Sequence, residues 1–276
     1  MSDQETWLVS LSGPTEPEVE LVVVPGAGDG PTTALALPTH LPLSWRLSSV
    51  CLPGRGPRFD EPLATDPYAV VDAIVRAVDA LGPTPVVLVG HSLGALWALE
   101  AGGRLARPPA LVVTVACAPP APGGPSGMAE PDDAEDRRFI HGLLVAQGCT
   151  DPEILDELVD LSTPVFQADL ALASRWTAPE RPTLTCPVVS YYGTWDGLAP
   201  TPWAQHTTGA AEAVSLEGGH FLHQECAADL LPDLSGRAAA HVVRETARLN
   251  RRVPRACSAI SAGSAPAAVV RPGSSR

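Results

Sequence analysis

The chain of 276 residues contains no lysine, few aromatic residues and no apolar run that approaches the roughly 18 residues of a membrane helix. All 18 basic residues are arginine, against 31 acidic residues, and the net charge at pH 7 is −13. An acidic chain of this kind is not expected to bind nucleic acid in general. Aromatic residues make up only 5% of the chain, so its core must consist mainly of valine, leucine and alanine.

The chain also lacks a signal-peptide pattern and closely spaced cysteines. Its first residues, MSDQETWLVS, are acidic and polar, where a signal peptide is basic and then apolar. The six cysteines lie far apart without a CxxC pair, which predicts scattered buried thiols rather than a disulfide framework or a zinc site. We therefore expect a cytoplasmic protein that needs no metal and no bound cofactor.

Short β-branched runs alternate with longer helical patterns along the chain. This alternation predicts an α/β protein with a mostly parallel central sheet and helices on both faces. In the helix predicted over 65–82, Thr65 or Asp66 can cap the first turn and Pro67 suits its first position. The predicted strands are 20–26, 47–56, 85–90, 110–116, 187–193 and 212–218, and the other predicted body helices are 93–105 and 237–249.

A long insertion, from 119 to about 180, separates two of the predicted strands. It opens with the flexible stretch APPAPGGPSG and continues with two helical patterns, DDAEDRRFIHGLLVAQG and DPEILDELVDL. An insertion of this kind in an α/β domain is usually a lid over the binding site. We expect one domain over 1–250 that carries this helical lid, and a basic tail, 251–276, with five arginines and no acid, whose composition predicts disorder.

The stretch VVLVGHSLGALWALE contains a G-x-S-x-G motif, which occurs by chance about 0.1 times in a chain of this length. Here the motif joins a predicted strand to a predicted helix, and Gly90 and Gly94 flank Ser92. Strand, sharp turn and helix together are the context of a nucleophile elbow, with the serine near a helix N-terminus whose dipole favours an oxyanion. This context favours Ser92 as a nucleophile over a serine in an ordinary turn.

A nucleophilic serine needs a histidine base and an acid that orients it, in the chain order serine, acid, histidine. Asp196 follows the strand 187–193 and His220 follows the strand 212–218, so both lie at carboxyl ends of strands, where sites of open α/β sheets assemble. Asp169 in the insertion is the second candidate for the acid. His206, on the helical stretch expected after Pro202, and His223 are expected to be surface or structural residues. The side chain of His91, next to the nucleophile, should point away from Ser92.

An oxyanion hole in such a site combines the backbone N–H after the nucleophile with one from the loop after an early strand. The first of these is the N–H of Leu93. The loop is PGAGDG (25–30), in which the N–H of Ala27 is the best donor. This loop lacks both the GK[ST] ending and a complete GxGxxG, so nucleotide binding is not expected.

Five motifs, in order and with the expected spacing between about residues 20 and 235, are similar to those of the type II thioesterases. These enzymes are stand-alone partners of polyketide and nonribosomal peptide synthetases. The most specific motif is LPGR-x-x-R-x-x-EP ahead of the elbow, which generic esterases do not share. The motifs are LPGRGPRFDEP (52–62), GHSLGALWALEAGGRL (90–105), FQADL (166–170), YYGTWDGLAP (191–200) and GGHFL (218–222).

The resemblance implies an α/β-hydrolase fold and hydrolysis of acyl groups from the phosphopantetheine arm of an acyl or peptidyl carrier protein. It assigns the family's triad to Ser92, Asp196 and His220, and its oxyanion donors to Ala27 and Leu93. The phosphopantetheine belongs to the carrier protein, so the enzyme itself needs no cofactor. We expect a monomer that binds a carrier protein and neither nucleic acid nor membrane.

Arg55 and Arg58 lie in the most specific of these motifs and leave two interpretations open. Their guanidinium groups could contact an acidic carrier protein or its phosphate. They could equally form salt bridges within the turn.

The chain departs from the family pattern at three places. The oxyanion loop usually reads PHAGG, whereas this chain has Gly26 in place of the histidine, and Gln167 stands where the lid usually carries arginine. The basic tail has no counterpart. We expect the first two departures to alter substrate scope or rate. Alternative functions are an acyltransferase, a cyclase or an ordinary ester hydrolase with the same triad, and a non-catalytic partner of a synthetase.

Overall fold

The computed structural model describes residues 7–36 and 41–252. One seven-stranded sheet runs through this part of the chain, in the order β1-β3-β2-β4-β5-β6-β7. The first strand is antiparallel to its neighbour β3, and the pairings of the other strands are all parallel. The strands are β1 (Leu8–Ser12), β2 (Val19–Val24), β3 (Trp45–Val50), β4 (Val86–His91), β5 (Leu111–Val115), β6 (Val188–Gly193) and β7 (Ala211–Leu216).

Helices cover both faces of the sheet, as the alternating sequence pattern predicts. Short 3₁₀ turns lie at Pro31–Ala36 and Gly56–Arg58. The cap of the first helix is Asp66, whose carboxylate accepts hydrogen bonds from the N–H groups of Tyr68 and Ala69, with Pro67 as the first helical residue. The helices are α1 (Pro67–Asp79), α2 (Gly94–Arg104), α3 (Asp133–Ala146), α4 (Pro152–Ser174), α5 (Leu222–Glu225) and α6 (Ala227–Arg252).

The central strands are buried on both faces, which explains their uninterrupted apolar sequences. All six residues of β2 are buried. Alternate side chains point to opposite faces: Val22 and Leu88 pack in the layer of α1 and α2, whereas Leu21 and Val23 pack in the layer of α6. Polar side chains of a site are therefore expected in the loops at the carboxyl ends of the parallel strands.

The insertion between β5 and β6 forms the two helices α3 and α4, which pack together around Ile140, Leu155 and Val159. Helix α4 is longer than the pattern DPEILDELVDL predicts and continues through Pro164 to Ser174. Leu172 and Ala173, near its end, belong to the core of the body. This helix therefore connects the lid to the core of the body.

Strand β1 and the last helix are among the elements that differ from the sequence prediction. The sequence pattern does not predict strand β1, because it is a short edge strand in which only Leu8 is buried. The last helix was predicted over 237–249 but begins at Ala227, since Leu230, Leu231 and Leu234 are buried against the sheet. Burial there outweighs the helix-breaking tendency of Pro232 and Gly236.

Residues 253–276 lie outside the described part of the chain, so the disorder predicted for the tail stays a prediction. None of the helices in the described ranges is long and apolar enough to span a bilayer.

Candidate active site

Ser92 lies in a sharp turn between β4 and α2, and its φ of +50° is in the left-handed region that residues other than glycine rarely adopt. The flanking glycines make this turn possible. A Cβ on Gly94 would overlap the carbonyl oxygens of Val24 and Pro25, and one on Gly90 would overlap the backbone of α2. The two glycines thus allow the N-terminus of α2 to lie directly against the end of β2, with Ser92 at the surface of the turn.

His220 and Asp196 come together at the same edge of the sheet, from the loops after β7 and β6. The Nδ1–H of His220 donates a hydrogen bond to Oδ1 of Asp196 over 2.9 Å. Because a carboxylate can only accept, this bond leaves Nε2 of a neutral imidazole free to accept a proton. Burial lowers the pKa of His220 from its usual value, and the neighbouring His91 lowers it further, while Asp196 acts in the opposite direction.

Asp169, the second candidate for the acid, does not contact His220. Its carboxylate forms a buried bidentate ion pair with Arg55, with Oδ2 2.6 Å from Nη1 and Oδ1 2.8 Å from Nη2. The same Oδ2 accepts a hydrogen bond of 2.8 Å from the N–H of Gly28. Of the two candidate acids, only Asp196 is therefore in a position to orient His220.

Arg55 and Arg58, the residues suggested to contact a carrier protein, are both buried, so neither guanidinium lies at the surface of this structure. The guanidinium of Arg58 pairs with Glu61, donates to the carbonyl of Cys51 over 3.0 Å and lies 4.2 Å from the ring centre of Trp7. The alternative interpretation, salt bridges within the turn, describes Arg58 but not Arg55. Their partners lie in the same loop for Arg58 and in the lid for Arg55.

The two amides predicted to hold an oxyanion are available for that role. Within the described ranges, the N–H groups of Ala27 and Leu93 donate to no protein acceptor. Leu93 is the residue immediately before α2, so its N–H belongs to the positive end of the helix. Ala27, Ser92 and His220 line the same cavity.

This cavity, of about 470 Å³, lies between the ends of the strands and the two lid helices. Its lid wall is largely apolar, and the rings of Phe139 and Phe166 stack there with centres 5.5 Å apart. Gln167 does not line the cavity, and its amide group contacts Asp133 on the other lid helix. The lid wall is formed mainly by Met128, Phe139, Ile140, Leu143, Leu144, Phe166 and Leu170.

The histidines predicted to be structural differ in their surroundings. His206 is buried and donates from Nε2 to the carbonyl of Pro120, although it lies in a turn and not in the expected helical stretch. His223 faces His91 with ring centres 4.8 Å apart, and burial lowers its pKa to about 4. Both therefore stay outside the proton transfer at His220.

His91 was missed as a site residue, since its place beside Ser92 in a strand predicts a side chain directed elsewhere. Its Nε2–H donates to the carbonyl of His220 over 2.9 Å, and it therefore supports the histidine loop. A Cβ on Gly26 would lie 3.0 Å from Nδ1 of His91 and 3.2 Å from Asp29. Because Gly26 has no side chain, it leaves space for His91 and Asp29. A glycine here, where the resemblance implies a histidine, is the feature of the sequence that could have indicated these two neighbours.

Comparisons with known proteins show the family to which the chain is similar. A family model described as the thioesterase domain matches residues 19–232. The AMB antimetabolite synthetase AmbE of Pseudomonas aeruginosa is 31% identical over 252 residues, which are 86% of this chain but only 11% of that synthetase. The probable cadicidin biosynthesis thioesterase of Streptomyces griseus is 27% identical over 248 residues, 84% of this chain and 68% of the relative.

The solved structure of RedJ, a thioesterase from the prodiginine pathway of Streptomyces coelicolor, is similar with a TM-score of 0.70 at 26% identity. The similarity covers 83% of this chain and 89% of RedJ. It confirms the predicted α/β-hydrolase fold.

Proposed function

Because the chain belongs to the thioesterase family, we propose that it removes acyl groups from the phosphopantetheine arm of a carrier protein through an acyl-Ser92 intermediate. Family membership makes it a hydrolase of thioesters, and the resemblance to type II thioesterases is confirmed. The observation that carries the serine mechanism is the hydrogen bond between His220 and Asp196, with His220 in the cavity that Ser92 lines.

In the proposed reaction, Nε2 of His220 takes the proton of Ser92 as its oxygen attacks the thioester carbonyl. The N–H groups of Ala27 and Leu93 donate to the oxyanion, and Asp196 stabilises the imidazolium. The C–S bond then breaks, and His220 returns the proton to the leaving thiolate. In the second half, His220 activates a water molecule, which attacks the acyl-serine and releases the carboxylic acid.

The carrier-bound substrate is supported by the shape of the cavity and by the relatives. The reacting serine lines a cavity with a largely apolar lid wall, which suits an acyl chain delivered on a long arm. RedJ comes from the prodiginine biosynthetic pathway, and the Streptomyces griseus relative carries cadicidin biosynthesis in its name. We infer an editing or release role of the same kind for this chain, with an acyl or peptidyl carrier protein as its partner.

The proposal is tested with a panel of acyl-carrier thioesters, from acetyl to long-chain, assayed with wild type and Ser92→Ala. Wild type is expected to release free acid, and Ser92→Ala to lose at least about 10³-fold in rate, because the nucleophile is absent. Ser174→Ala is the matched control, since its hydroxyl only bonds within its own helix, and should keep full activity. Full thioester cleavage by Ser92→Ala would exclude the serine mechanism.

The same assay in ¹⁸O-labelled water separates hydrolysis from acyl transfer. Hydrolysis places one labelled oxygen in the released acid. An unlabelled ester, amide or cyclic product would instead indicate an acyltransferase or cyclase that uses the same serine.

A further inference from the structure

Three segments that are distant in the sequence meet at the carboxylate of Asp169. The carboxylate lies on lid helix α4, Arg55 lies in the loop after β3, and Gly28 lies in the oxyanion loop after β2. Asp169 accepts both hydrogen bonds of the Arg55 fork and the N–H of Gly28. Arg55 also donates to the backbone carbonyl of Asp29 over 3.3 Å.

The ion pair is largely withdrawn from water, with 7% of the Arg55 side chain and 5% of the Asp169 side chain exposed. A buried pair of this kind is weak evidence of a contribution to stability, because desolvation of both charges offsets their attraction. Its bidentate geometry does define distances and angles between the groups it joins. The ion pair is therefore better explained by the geometry that it imposes than by a contribution to the free energy of folding.

The ion pair defines the geometry of the oxyanion loop. Gly28 has a φ of +75°, and a Cβ there would lie 3.2 Å from the ring of Phe166 on the lid helix. The pair holds the N–H of Gly28, which belongs to the peptide group directly after Ala27, and the carbonyl of Asp29, two peptide groups further along. Rotation of the Ala27 amide is limited by these bonds, and an oxyanion donor must lie within about 2.7–3.1 Å of the developing charge.

We propose that Asp169 and Arg55 are positioning residues, which hold the Ala27 N–H in the oxyanion hole and connect its geometry to the position of lid helix α4. The proposal rests on the proposed function, because it assigns these residues to the stabilisation of the same acyl-transfer transition state. It also predicts that a displacement of α4 away from the body withdraws the acceptor of Gly28 and weakens the hole.

The first test variant is Asp169→Asn, which keeps the size of the side chain but removes the bidentate acceptor. The second is the double variant Arg55→Met with Asp169→Leu, which replaces the buried pair by apolar groups and so preserves folding without an uncompensated charge. The matched control is Glu61→Gln, which breaks the other ion pair of the same loop, that of Arg58, without touching the oxyanion loop.

For each protein, kcat and KM are measured on an acyl-N-acetylcysteamine thioester, together with the thermal midpoint and the rate at which a fluorophosphonate labels Ser92. We expect both test variants to lose about ten- to a hundredfold in kcat and in labelling rate, less than the 10²–10³ that follows removal of a donor outright. KM is expected to stay within about twofold. The Glu61→Gln control is expected to match wild type.

The proposal would be overturned if a folded Asp169→Asn or double variant kept the kcat of wild type and changed only in KM or in the thermal midpoint. The ion pair would then serve only to attach the lid to the body. Failure of both variants to fold would assign the pair to folding alone, with the same consequence. A failure of the proposed function is distinguishable from these results, since wild type itself would then neither cleave the thioester nor be labelled at Ser92.

Discussion

Ser92 is held in a backbone conformation that costs energy for any residue with a side chain. Left-handed non-glycine residues persist only where the surrounding structure imposes them, and they concentrate at functional sites. Here the N–H of Ser92 donates to the carbonyl of Val115 over 2.8 Å, which fixes the turn to the neighbouring strand. The turn places Ser92 directly after the carboxyl end of β4. The hydrogen bond between His220 and Asp196 determines which imidazole nitrogen can serve as the base.

The lowered pKa of His220 predicts the pH profile of the enzyme. The base must be neutral, so kcat/KM should rise with pH through the pKa of His220, with a midpoint below the usual 6.5 because burial disfavours the imidazolium. Asp196→Asn should lower kcat by about 10³- to 10⁴-fold and move the midpoint further down, since Asp196 raises this pKa. The measurement is kcat/KM on an N-acetylcysteamine thioester between pH 4.5 and 8.

The control for this profile is His141→Gln, an exposed histidine on the lid, whose profile should equal that of wild type. A midpoint above 6.5 in wild type would contradict the assignment of the base to a buried His220.

At the scale of elements, two helices determine the site. Helix α2 brings its N-terminus against the end of β2, and this approach depends on the absence of a side chain at Gly94. Helix α4 spans from the lid to the body core, where Leu172 and Ala173 are buried, and carries Asp169 to the oxyanion loop. Both arrangements are contacts between elements, so the helix propensity of the α2 or α4 sequence does not predict them.

Replacement of Gly94 and Gly142, two of the helical glycines, by alanine should have opposite effects. Gly94→Ala forces a Cβ into backbone oxygens that cannot move aside, so we expect a loss of about 3 kcal/mol or more in the free energy of unfolding. Gly142 on α3 has open space around it, and Gly142→Ala should gain up to about 1 kcal/mol from helix propensity. Urea unfolding measures both, and equal effects would show that close packing does not govern the elbow.

At the scale of the whole molecule, the sheet and its two helical layers keep most polar chemistry at one edge. The cavity lies at that edge between body and lid, and none of the cysteines in the described ranges lines it. Cys51, Cys117 and Cys226 are buried, and Cys149 in the lid is half-buried. Burial raises the pKa of Cys117 to about 12, and burial also raises the pKa of Cys51 and Cys226.

Thiol reactivity should follow this division. In the native protein at pH 8, iodoacetamide is expected to modify Cys149 and to leave Cys51, Cys117 and Cys226 unmodified, because the thiolate is the reactive form and these three are inaccessible. In urea all four should react. Peptide mass mapping gives the result, and native labelling of Cys117 as fast as Cys149 would contradict the packing of the sheet against its helices.

The sequence by itself determined the fold class, the positions of most strands and helices and the candidates Ser92, Asp196 and His220. Each of these depends on local information: the apolar period of a segment, the glycines of a turn, and the rule that parallel strands end at one edge. The LPGR motif likewise indicated a thioesterase through the identity and spacing of its own residues. Chain order and strand ends were sufficient to propose these three residues together.

Only the tertiary structure decided which acid accompanies His220 and what Arg55 and Arg58 do. The partner of Arg55 is Asp169, 114 residues further along the chain, and no local pattern encodes so distant a pairing. The same holds for edge strand β1 and for the start of α6 at Ala227, where burial against the sheet outweighs the local tendencies of the segment. Long-range contacts are formed by the whole fold, and for that reason the link between the lid and the oxyanion loop is visible only in three dimensions.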